Sequence, residues 1–76
     1  MKANRAYELI VHRGGPRLLA SPGRLDHVEV VEIDSGEVVL FWDAVPRDAG
    51  QMARAIRSDL QTMEADDFIE RWSAQS

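Results

Sequence analysis

Cysteine is missing from this chain altogether, which removes disulfides and thiolate metal sites from consideration. Long apolar runs are missing too. The longest, residues 38–42, falls far short of the roughly 20 residues needed to span a bilayer. The first residues, Met1-Lys2-Ala3-Asn4-Arg5, precede only a brief apolar stretch from Leu9 to Val11, which does not resemble a secretory leader. No membrane role and a cytoplasmic location are therefore expected. Low-complexity tracts and internal repeats are absent. Lysine occurs once, at Lys2, and the other basic residues are arginines.

Recognisable chemistry is also sparse. The serines sit in no nucleophile-elbow context, and no pair of carboxylates stands out among thirteen acids for acid–base work. The two histidines, His12 and His27, show no ligand spacing, and Glu64, Asp66, Asp67 and Glu70 lack the spacing of a calcium loop. No catalytic residue, cofactor site or metal site is assigned, and the balance is against an enzyme.

The chain has 76 residues, enough for one small domain. A domain of this size buries only about 60–65% of the surface its unfolded chain exposes. Apolar burial then nearly cancels ordering entropy. Without disulfides or a metal, a partner chain is the natural further source of stability.

The net charge of −4 is unevenly placed. Residues 1–24 carry five basic residues and one acid, whereas residues 25–76 carry four basic residues and twelve acids. The acidic surplus argues against nucleic acid as a partner, because phosphate repels each uncompensated carboxylate. Only the basic first third offers such a ligand any attraction.

Hydropathy period organises the rest. Residues 5–13 alternate well enough for a strand and end at Gly14-Gly15-Pro16, a turn sequence. Residues 25–33 form a second strand whose apolar side chains change face at Val30-Val31. A bulge there would turn Val28, Val30 and then Ile33 inward. Asp34-Ser35-Gly36-Glu37 is a hairpin connection into the strongest β segment, residues 37–45.

Asp48 followed by Gln51 has the pattern of a capping box. Met52, Ile56, Leu60 and Met63 then fall within about 80° on a helical wheel. Phe68, Ile69 and Trp72 lie roughly half a turn away, so a break is expected near residues 64–66. The second helix would be capped by Asp66, with Asp67 pairing to Arg71.

The expected fold is α+β. A three- to four-stranded antiparallel meander spans residues 5–13, 25–33 and 37–45, with 17–20 as the optional extra strand. It packs on a C-terminal helix over 49–63, followed by a kink and a short second helix over 66–74.

Two surfaces follow as candidates. Strand 37–45 carries Val38, Leu40 and Trp42 on one parity and Val39, Phe41 and Val45 on the other. One helix covers only one side of a sheet. The opposite side, with Val38, Leu40 and Trp42 and with Phe68, Ile69 and Trp72 swung outward, would be a protein interface. A homodimer, or contact with another protein, is thus the leading functional expectation. The alternative is an anionic small-molecule site, in a binding protein or enzyme, near the Arg13-Gly14-Gly15-Pro16-Arg17 turn and held by Arg13, Arg17 and Arg24. That turn lacks the strand–loop–helix context of a phosphate loop.

Overall fold

A computed structural model of the chain describes residues 1–14 and 25–75. The expected extra strand at 17–20 lies outside the described residues. Six elements follow one another: α1 (Ala3–Ala6), β1 (Tyr7–His12), β2 (Asp26–Glu32), β3 (Val38–Ala44), α2 (Pro46–Thr62) and α3 (Ala65–Ser73). The fold is α+β, with an antiparallel sheet in the order β1-β2-β3. No helix among the described residues is long and apolar enough to cross a membrane.

The β2–β3 hairpin closes as its residues predict. Gly36 takes φ +73°, a region that costs an L-residue roughly 1–2 kcal/mol and glycine almost nothing. Its N–H donates to the Glu32 carbonyl at 2.8 Å, and the Ser35 hydroxyl donates to the Glu32 carboxylate at 2.7 Å. A bulge does occur opposite Val30-Val31, but the extra residue is on the other strand. Val30 pairs with Leu40 and Val31 with Val38, leaving Val39 between them. Ile33 consequently does not turn inward and is exposed.

Residues 5 and 6, expected in the first strand, belong instead to α1. The reason is tertiary. Ala3 is wholly buried, and the N-terminal segment clasps the α2–α3 junction. Ala3 N–H donates to the Met63 carbonyl and Ala65 N–H to the Met1 carbonyl, each at 2.9 Å.

Both helices also start differently from expectation. The N-cap of α2 is Val45, with Pro46 at its first position and no side-chain cap; Asp48 lies within the first turn. Proline there has the helical φ built in and no N–H to satisfy, which displaces the start from Asp48. α3 is capped by Glu64 rather than Asp66, again without a side-chain cap. Asp66 and Asp67 occupy its first turn, where carboxylates suit the helix dipole.

The kink itself is where the change of stripe placed it. Met63 and Glu64 both take extended backbone angles, and this short extended link re-aims α3. Its apolar stripe therefore joins that of α2 in a common core on one face of the sheet. Val28, Val30, Leu40, Trp42, Ala49, Ile56, Leu60, Phe68, Trp72 and Ala3 form this core. Phe68 and Ile56 are fully enclosed. Burying a side chain of that size contributes about 1.5–3 kcal/mol.

Candidate functional site

With α2 and α3 on one face, no helix of the described residues covers the other face of the sheet, which is partly exposed. Strand register arranges it as three rows. Glu8, Val31 and Val38 form the first row; Ile10, Glu29 and Phe41 the second; His12, His27 and Asp43 the third. Its apolar members gather toward β3 and the hairpin. Phe41 is 47% exposed and Val38 49%, beside Val39 and, at the end of β2, Ile33. Val31 is buried yet stands outside the main core cluster.

This is not the surface that the sequence suggested. Of the six residues expected there, Leu40, Trp42, Phe68 and Trp72 are core residues, and Ile69 is half-buried against the same core. Only Val38 is exposed. The indole N–H groups are satisfied internally as well. Trp42 donates to the Gln75 carbonyl at 3.2 Å, and Trp72 donates to Asp59 Oδ2 at 3.0 Å. A side chain enclosed by its own chain with its donor spent offers nothing to a partner. Arg71 approaches the same Asp59 oxygen at 3.5 Å and so does not form the expected pair with Asp67.

The histidines are closer together than their scatter in sequence implied. His12 and His27 are direct partners across β1 and β2. Each is taken up by a carboxylate: His12 Nε2 lies 3.1 Å from Glu29 Oε1, and His27 Nδ1 hydrogen-bonds Asp43 Oδ1. The His27 ring also stacks on Phe41, with centroids 5.5 Å apart. Sequence parity carried half of this signal, since alternate residues share a face, but the register between strands was not readable. Among the described residues, no three His, Asp or Glu side chains are arranged to hold a metal ion.

The acidic stretch at the start of α3 has a structural occupation. Glu64 accepts a hydrogen bond from the Met1 ammonium at 2.7 Å. That bond, and then the ammonium charge, hold its carboxyl below the ordinary value of 4.5. Of the arginines expected to hold an anion, Arg13 lies at a cleft against α2, while Arg17 and Arg24 fall outside the described residues. No family model matches the chain, and the comparisons with curated proteins and with solved structures found no match.

Proposed function

We propose that this protein acts in the cytoplasm through protein–protein contact, as a homodimer in which two copies stack the outer faces of their sheets. The observation that carries this reading is the exposure of Phe41 and Val38, which the register puts on the face opposite the helices, with Val39 and Ile33 exposed next to them along the hairpin. An exposed apolar patch rimmed by polar groups is the usual mark of an interface. The absence of cysteine suits a reducing compartment.

Two considerations favour face stacking by a second copy. A bulge at Val39 interrupts β3, and bulges blunt a free strand edge against pairing. A two-fold axis near Phe41 would also set each apolar corner on its counterpart, leaving the His12–His27–Asp43 row wet at the rim. Glu29, in the middle of the face, is already hydrogen-bonded to His12, which lowers the cost of covering it. Three strands of this length present a face of about 14 by 20 Å. That is below the roughly 800 Å² per partner of a standard interface, so a weak, micromolar dimer is expected.

Sedimentation velocity from about 10 μM to 1 mM tests this directly. The wild type should shift from monomer to dimer across that range. Phe41→Ser should weaken association by about 30-fold, as expected for loss of a central aromatic anchor worth about 2 kcal/mol. A wild type that stays monomeric at 1 mM, or a Phe41→Ser variant that associates equally well, would refute the proposal.

A further inference from the structure

A second feature lies on the opposite side of the molecule from the stacked face. A cleft of about 190 Å³ opens where the end of β1 and the start of β2 meet α2, lined by Arg13, Arg54, Arg57, Asp26, Val11 and Ala53, with Pro46 and Gly50 beside them. Arg13 comes from the residues just after β1, and Arg54 and Arg57 come from the middle of α2, three positions apart on adjoining turns. In a chain with four more acids than Lys and Arg, three arginines converging on one cleft is not what composition alone would place there.

None of the three is spent on a carboxylate. Among the described residues, Arg13, Arg54 and Arg57 take part in no ion pair or side-chain hydrogen bond. Among the described residues of the lining the one acid is Asp26, which is buried and accepts the Gly14 N–H at 2.9 Å. That bond ties the backbone next to Arg13 to the start of β2. Among the described lining residues, three guanidiniums stand against one carboxylate, a charge of +2.

We infer that this cleft binds a small phosphomonoester, with Arg13, Arg54 and Arg57 on the phosphate and Val11, Ala53 and Pro46 against a short carbon skeleton. A phosphomonoester carries about −1.5 to −2 at neutral pH and three terminal oxygens, which matches both the charge of the site and its number of guanidiniums. Arginine's planar fork suits those oxygens bidentately. The cleft is small beside the roughly 300 Å³ at which sites for drug-sized ligands begin, which suits a short ester. A Cβ at Gly50 would make only ordinary van der Waals contact with the Arg54 guanidinium, at 3.8 Å.

Titration with glycerol 3-phosphate, against sodium chloride of equal ionic strength and against succinate, tests this inference. The phosphate ester should raise the melting temperature saturably and move the amide resonances of Gly14, Arg54 and Arg57. Arg54→Gln and Arg57→Gln, both on the exposed side of α2, should each weaken binding by about tenfold or more, the loss expected for a charge-assisted hydrogen bond. Any of three results overturns the inference: an equal effect of chloride, resonance shifts that map away from the cleft, or variants that bind as tightly as the wild type. Equal binding of succinate overturns the assignment to phosphate.

Discussion

Trp42 and Trp72 meet edge to face, with ring centroids 5.9 Å apart and planes at 77°. Trp42 is on β3 and Trp72 on the last helix, so this contact joins the two ends of the core. Such pairs add about 0.5–1.5 kcal/mol beyond their area. Trp72→Ala should therefore cost about 3–5 kcal/mol, most of the stability of so small a domain. Urea denaturation followed by far-UV circular dichroism should show the cooperative transition shifted to very low denaturant or lost.

Asp59 anchors the same tryptophan. Asp59→Ala leaves the buried Trp72 N–H without its acceptor, an omission that costs about 1–3 kcal/mol. For a domain of this size each kcal/mol lowers the melting temperature by about 4–8 °C. Asp59→Asn keeps a carbonyl oxygen in place and should lose markedly less. Equal losses in the two variants would show that the hydrogen bond is not what matters at this position.

Two glycines make opposite predictions. Gly36→Ala meets nothing within 4 Å, so its penalty is wholly the positive φ, about 1–2 kcal/mol. Gly50 lies within α2 and makes no demand on the backbone. Gly50→Ala should raise stability by up to about 1 kcal/mol. Thermal melts of the two variants should move in opposite directions.

Glu64 should report its partner through its titration. Its folded pKa is lowered by the hydrogen bond and charge of the Met1 ammonium. Stability from this contact is thus fully present above the ordinary value of 4.5 and lost as pH falls through the lower folded value. Acetylating the Met1 amine should return the Glu64 carboxyl toward 4.5, seen by NMR titration. The backbone bonds of Met1 and Ala3 to the α2–α3 junction need no charge and should persist.

Glu29 offers a gain-of-association test of the stacked face. Covering a carboxylate is costly and an apolar residue in its place avoids that cost, so Glu29→Val should tighten the proposed dimer. Adding Phe41→Ser should reverse that gain. Sedimentation velocity distinguishes specific tightening from nonspecific aggregation, which Phe41→Ser would leave in place.

Much of the architecture was legible because it rests on local period. The hairpin at Gly36, the three strands, the helix stripe through Ile56 and Leu60, and the break after Met63 each follow from residues within a few positions of one another. Departures came where distant chain segments intervene. Tyr7 starts the first strand late because Ala3 is buried against the α2–α3 junction. The cap moved from Asp48 to Val45 because Pro46 already fits a helical start. The arginine-lined cleft was half legible as a place: Arg13 stood out beside its glycines, but Arg54 and Arg57 lie some forty residues away and read only as the polar side of a helix.

The sequence by itself determined the three strands and the two C-terminal helices, and one relation within them: Leu40 and Trp42 share a face that Phe41 does not. Period two assigns side chains to two faces but does not say which will be covered. Along residues 38–42 every side chain is apolar, so both parities were equally fit for a core. Only the tertiary structure decided between them. The extended link at Met63 and Glu64 turned Phe68 and Trp72 under the same face as Ile56, enclosing Trp42 and leaving Phe41 in water.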